Sequence, residues 1–146
     1  EGDLVIAGMK GWKTDGIFTR RDRSPKRDRI RFLEYVDERD LPALYSGAAL
    51  YVTPSLYEGF GFTPLEAMQC GTPVVAASTG SMPEVLGDAA HFIENFELDA
   101  WTSAISRLLA SPSDTAELVA RGHARHARYT WEQNASETWA VYRSVL

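Results

Sequence analysis

The chain has 146 residues, which fits one domain of ordinary size, and 45% of them are hydrophobic, enough for a core without covalent staples. Its single cysteine, Cys70, excludes an intramolecular disulfide, and a net charge of −5 argues against general nucleic-acid binding. No apolar run reaches the roughly 20 residues that would cross a bilayer and no secretory signal is visible, so a cytoplasmic domain is expected, docked at most on the inner face of a membrane.

The chain opens Glu1-Gly2-Asp3, without Met, and enters a strand almost at once, which reads as a piece of a longer protein. Leu4-Val5-Ile6-Ala7-Gly8 is a short apolar run closed by glycine, a buried strand. Residues 12–23 have helical character, ended by Ser24-Pro25. Residues 29–36 alternate, with Ile30 and Phe32 on one face, and suit a strand. Residues 40–46 form a short helix with Pro42 in its first turn. Ala49-Leu50-Tyr51-Val52-Thr53 is a strand closed by Pro54. A two-glycine loop covers 55–61.

Thr63, Pro64 and Glu66 then match a capping box with proline at the first helical position. The helix runs 64–69 and Gly71 ends it. Val74-Val75-Ala76-Ala77 is another buried strand. Gly80 and Ser81 lead into a short helix at 83–86, and 90–93 is a weak last strand. The rest is helical: 98–109, then a helix opened by Ser111-Pro112, then one from a second capping box, Thr130-Trp131-Glu132-Gln133, to about Val145. Alternating apolar strands and helices predict an α/β fold, a doubly wound parallel sheet, in one domain spanning 1–146.

In open parallel sheets, ligands sit beyond the carboxyl ends of strands, in the loops that lead to helices. Tyr57-Glu58-Gly59-Phe60-Gly61-Phe62-Thr63 occupies such a place. Its glycines let the backbone bend and approach a ligand, amides at the next helix start can hold an anion, and the Glu58 carboxylate can accept sugar hydroxyls. On local pattern alone, a plain helix cap with two turn glycines explains the segment equally well.

The run from Pro54-Ser55 through Glu58-Gly59-Phe60-Gly61 and Glu66-Ala67-Met68-Gln69-Cys70-Gly71-Thr72-Pro73-Val74-Val75 resembles the signature of the retaining glycosyltransferases with the two-domain GT-B fold. Its mark is two glutamates separated by seven residues, Glu58 and Glu66. Gly8 to Trp12, Leu41-Pro42-Ala43-Leu44-Tyr45-Ser46, Pro83-Glu84-Val85, Gly87-Asp88-Ala89-Ala90 and Tyr129-Thr130-Trp131 extend the likeness along nearly the whole chain. It is nearest to bacterial transferases of the mannosyl type that build surface polysaccharides.

The resemblance implies the C-terminal, Rossmann-like, donor-binding half of such an enzyme, without its first strand and helix and without the N-terminal acceptor domain. It implies transfer of a hexose, with mannose preferred, from a nucleoside-diphosphate sugar to an acceptor hydroxyl with retained configuration. Glu58 would be the catalytic residue, contacting donor hydroxyls or supporting positive charge at the sugar carbon. Gly59, Phe60, Gly61 and Phe62 would bind sugar and distal phosphate through their amides. Thr63 would add a hydroxyl to the phosphate, and Glu66 would hold the ribose. Tyr35, Val36 and Glu38 would lie against the base. No D-x-D motif is present, so no essential metal is expected, and no cofactor beyond the donor substrate. The Arg and Lys that such enzymes bring to the diphosphate from an upstream loop are not assigned to Lys10 or Lys13. The fragment alone is expected to bind donor weakly and to transfer little or nothing.

Several residues are set aside. His123 and His126 read as surface histidines without a metal set, His91 and Cys70 as structural, and Trp101, Trp131 and Trp139 as packing residues. The basic stretch Lys10, Lys13, Arg20, Arg21, Arg23, Lys26, Arg27, Arg29 and Arg31 reads first as a solvated helix and loop. A surface facing phosphates or acidic lipids, with peripheral membrane contact, is the sharper alternative. The competing function is a non-catalytic sugar-nucleotide-binding or partner-docking module.

Overall fold

The computed structural model describes residues 2–145 and divides the chain into two compact units, Glu1–Leu41 and Pro42–Leu146. The first contains β1 (Leu4–Ala7), α1 (Asp15–Asp22) and β2 (Ile30–Leu33). The strands run parallel, with Leu4 opposite Ile30 and Ala7 opposite Leu33. The helix starts later than its sequence suggests. Lys13 sits at φ 61 and the Thr14 hydroxyl donates to the Gly11 carbonyl at 3.0 Å, so turn chemistry holds 11–14 out of the helix. The alternation in β2 is as expected: Ile30 and Phe32 are half-buried, and Phe32 stacks on Phe18 with ring centroids 4.5 Å apart.

Much of the basic stretch is paired in this unit. Asp3 accepts from Arg29 at 3.2 Å and from Arg31 at 2.7 Å, and both guanidiniums hold its carboxyl below the usual range. Lys10 meets Asp15 at 3.4 Å, Arg21 meets Asp22 at 2.6 Å, and Arg27 meets Asp28 at 3.6 Å. These are solvated pairs of small individual worth.

The second unit contains β3 (Tyr51–Thr53), α3 (Phe62–Gln69), β4 (Val74–Ala77), α4 (Met82–Leu86), β5 (Ala90–Ile93), α5 (Leu98–Ala110), α6 (Pro112–His126) and α7 (Trp131–Val145); α2 (Leu41–Ser46) opens at the boundary. The strands are parallel in the order β3-β4-β5. β4 is central and buried at every position, which explains why it reads as a continuous apolar run. Its side chains alternate between two cores. Val74 and Ala76 pack with Leu65, Met68, Met82 and Leu86 from α3 and α4. Val75 and Ala77 pack with Trp101, Ala104, Leu108 and Leu118 from α5 and α6. Helices thus cover both faces of this sheet, the doubly wound arrangement expected. β3 begins only at Tyr51, whose amide donates to the Pro73 carbonyl, because its partner strand begins there.

Two local expectations need correction. At the start of α7 the Thr130 hydroxyl accepts from the Gln133 amide at 3.1 Å, but the Gln133 side chain donates to Glu137 instead of returning to the cap, so half the capping box forms. Trp101 packs as expected and donates its indole N–H to the Asn95 carbonyl, whereas Trp131 and Trp139 do not pack: they are 82% and 59% exposed, on a helix with no buried residue. Helical spacing aligns an apolar stripe, but it does not determine what lies against it.

Candidate functional site

The loop after β3 is shaped by Gly61. Its φ of +106° is one that L side chains rarely adopt, and a Cβ there would meet Met82 Cε at 3.1 Å and Sδ at 3.2 Å. Glycine is therefore required twice, by backbone conformation and by the close approach of a buried methionine. Gly61 is the N-cap of α3, so Thr63 and Glu66 lie within the helix and the expected capping box does not form. No side chain caps α3. Its first turn carries no acidic residue, which favours an anion there.

Glu58 is held at several points. Ser55 Oγ donates to Glu58 Oε1 at 2.9 Å and lies 3.4 Å from Thr53 Oγ1. Thr79 Oγ1 donates to the Ser55 carbonyl at 2.8 Å. Ser81 Oγ lies 2.9 Å from both the Glu58 and the Phe60 carbonyls, so one proton is shared between them. Gly80, at φ +55°, lets the backbone pass so close that a Cβ would sit 3.2 Å from the Glu58 carbonyl oxygen. The segment Ser78-Thr79-Gly80-Ser81, beyond the carboxyl end of β4, thus braces the Glu58 loop. Sequence reasoning passed over this role, although hydroxyls and glycine after a buried strand were the signal for it.

Thr63 and Glu66 have tyrosine partners. Tyr51 Oη donates to Thr63 Oγ1 at 3.0 Å, and Tyr45 Oη donates to Glu66 Oε2 at 3.0 Å. The two rings meet edge to face, 5.8 Å apart. Burial pushes the Tyr45 phenol well up, and the Glu66 carboxylate adds to the shift. Burial also raises Tyr51, against a smaller opposing effect of Thr63. Both phenols therefore remain protonated donors at neutral pH.

Gly59 is exposed, with open space where a Cβ would stand. Phe60 is half-buried, edge-on to Tyr129 at 5.6 Å and tilted against the exposed Phe62 at 4.7 Å. The structure therefore brings 58–66 together on one loop and one helix. Tyr35, Val36 and Glu38 follow β2 in the other unit, where Tyr35 and Glu38 are exposed and Val36 is half-buried. His123 is exposed and His126 half-buried on α6. Among the described residues no three His, Cys, Asp or Glu side chains are grouped as metal ligands would be.

A family model described as "Glycosyl transferases group 1" matches residues 2–125. The chain belongs to the group 1 glycosyl transferases. The O-antigen chain mannosyltransferase B of Escherichia coli is 39% identical to it over 140 residues, covering 96% of this chain and 37% of that protein. The D-inositol 3-phosphate glycosyltransferase of Salinispora tropica is 40% identical over 122 residues, covering 82% and 25% respectively. Among solved structures, sucrose-phosphate synthase from Thermosynechococcus elongatus aligns with a TM-score of 0.80 at 31% identity, over 99% of this chain and 38% of that one. Anabaena HepE, solved in complex with UDP-glucose, aligns with a TM-score of 0.84 at 22% identity, over 99% and 41%, a likeness of fold. This group 1 glycosyl transferase chain thus has the Rossmann-like α/β fold of the C-terminal half of GT-B enzymes. It spans 37% of the length of the first of these relatives and 25% of the second.

Proposed function

We propose that this chain is the donor-binding domain of a retaining glycosyltransferase that moves a hexose, mannose by preference, from a nucleoside-diphosphate sugar to an acceptor hydroxyl in glycan or surface-polysaccharide synthesis. The observation that carries the reading is the joining of Glu58 and Glu66 through the uncapped start of α3. A carboxylate for sugar hydroxyls, amides for phosphate and a second carboxylate for ribose follow one another along a single loop and helix. The mannosyltransferase relative at 39% identity supports the choice of sugar.

In this reading Glu58 is the catalytic residue. Ser55 occupies one of its carboxylate oxygens and so turns the other toward the donor. The amides of Gly59, Phe60, Gly61 and Phe62 hold sugar and distal phosphate, Thr63 adds its hydroxyl, and Glu66 accepts the ribose hydroxyls. Tyr35, Val36 and Glu38 serve the base. The transition state carries positive charge at the sugar carbon and negative charge on the departing diphosphate. Catalysis is therefore electrostatic stabilisation and positioning, with the leaving phosphate helping to take the acceptor proton. The reading includes no essential metal or cofactor. The acceptor side belongs to an N-terminal domain, the complete enzyme works in the cytoplasm or at the inner membrane face, and this chain alone transfers no sugar.

Titration of this chain with GDP, UDP, ADP and their hexose conjugates, followed by ligand-observed NMR, tests the reading. Saturable binding that Glu66→Ala abolishes is the expected result. Absence of saturable binding to every nucleotide would sink it.

A further inference from the structure

Thr63 and Glu66 stand three residues apart on α3, and so share one face of the helix. Both side chains are exposed, and each already has one tyrosine partner. The direction of those bonds matters. A phenol is a better donor than an aliphatic hydroxyl, and a carboxylate can only accept. Tyr51 therefore fills a lone pair of Thr63 Oγ1 at 3.0 Å, and the threonine's own proton must point elsewhere. Tyr45 fills one oxygen of Glu66, Oε2, at 3.0 Å, and leaves Oε1 as the acceptor. The phenols sit edge to face at 5.8 Å, and burial keeps them protonated.

We propose that Tyr45 and Tyr51 are positioning residues that set the hydrogen-bond polarity of this helix face: Tyr51 makes Thr63 a donor aimed at a diphosphate oxygen, and Tyr45 makes Glu66 Oε1 an acceptor aimed at ribose hydroxyls. This rests on the donor-binding reading above and extends it to two residues that touch no ligand themselves. It is compatible with the missing capping box, which follows from Gly61 being the N-cap. A Thr63 hydroxyl and a Glu66 carboxylate spent on their own helix could not be oriented outward.

The test is a crossed binding measurement on this chain. Tyr45→Phe and Tyr51→Phe each remove one oxygen and keep the ring. Affinities for GDP, UDP and ADP are compared with those for the 2′,3′-dideoxy forms. Tyr45→Phe is expected to weaken the ribonucleotide about threefold to tenfold, the worth of one hydrogen bond, and to leave the dideoxy form unchanged. Tyr51→Phe is expected to weaken both forms by a similar factor. General loosening of the helix would move both nucleotides alike in both variants, and that result overturns the inference while leaving the donor-binding reading intact. Unchanged affinities in both variants overturn it equally. No binding of any nucleotide by the unsubstituted chain overturns the donor-binding reading, and this inference with it.

Discussion

The two units of the chain use the same grammar to different effect. Each pairs parallel strands and connects them through helices, yet in the first unit no described residue is buried, while in the second the central strand is buried at every position. Leu4 and Val5 of β1 are 54% and 41% exposed, and the unit is tied by one aromatic stack and by ion pairs to Asp3. Val74 and Val75 of β4 are likewise aliphatic but meet a separate core on each face. An apolar strand contributes to stability in proportion to the area covered, not to its own hydrophobicity. The candidate site follows the same rule. Glu58, Thr63 and Glu66 stand on the unit with the core, where neighbouring elements can hold side chains at fixed distances.

The sharpest way to break that contrast is a matched pair of truncations. Leu86→Ala, at a position with no exposure, is expected to lower stability by about 3 kcal/mol in urea unfolding. Leu4→Ala should cost less than about 1 kcal/mol in the same experiment, and comparable losses would show that the first unit is as tightly packed as the second. Gly61→Ala tests the strained turn. The unfavourable φ together with the contact to Met82 is expected to cost about 2 kcal/mol and to weaken nucleotide binding, with thermal melting and titration as readouts. Ser81→Ala removes the hydroxyl shared by the Glu58 and Phe60 carbonyls, for a loss of about 1 kcal/mol. Weaker binding in that variant would tie the brace to the site.

The smallest expected effect is a pH dependence from His91. Arg107 Nη2 donates to its Nε2 at 3.2 Å, which requires a neutral ring with the proton on Nδ1. Burial first, and then the Arg107 charge, hold its pKa below the ordinary value. The unfolded chain therefore binds this proton first as pH falls. Stability should be full above about pH 6.5, decline below it toward the lowered native value, and then level off. Melting curves of the chain and of His91→Gln across that range should diverge, and parallel curves would remove His91 as the cause.

The strands were largely legible because their signal is local. Strands stand where expected at 4–7, 30–33 and 74–77, but the expectation that the first is a buried strand fails: β1 has no buried residue while β4 is buried throughout, because an apolar run reports the strand and not what covers it. The 58–66 segment was legible as a glycine loop leading into a helix, while its choice as a candidate site came from the family resemblance, since local pattern alone fits a plain turn and cap equally well. The capping box at Thr63 and Glu66 misled. Local spacing permits it, but Gly61 caps the helix two residues earlier, and two tyrosines from other elements engage both side chains. Trp131 and Trp139 misled for a related reason, since amphipathic spacing says nothing of a partner.

Residue identity and spacing alone determined the α/β alternation and the buried strand at 74–77, and the resemblance of the 54–75 run singled out the candidate carboxylates, because each depends on a few neighbouring residues. The tertiary structure decided which way those carboxylates are held. Ser55, Thr79, Gly80 and Ser81 fix Glu58, and Tyr45 and Tyr51 polarise Glu66 and Thr63. All of these partners come from outside the 58–66 segment, and the bond that spans the most chain, from Thr79 to Ser55, joins residues 24 positions apart. A hydrogen bond's direction depends on which atoms meet, and chain folding brings those atoms together.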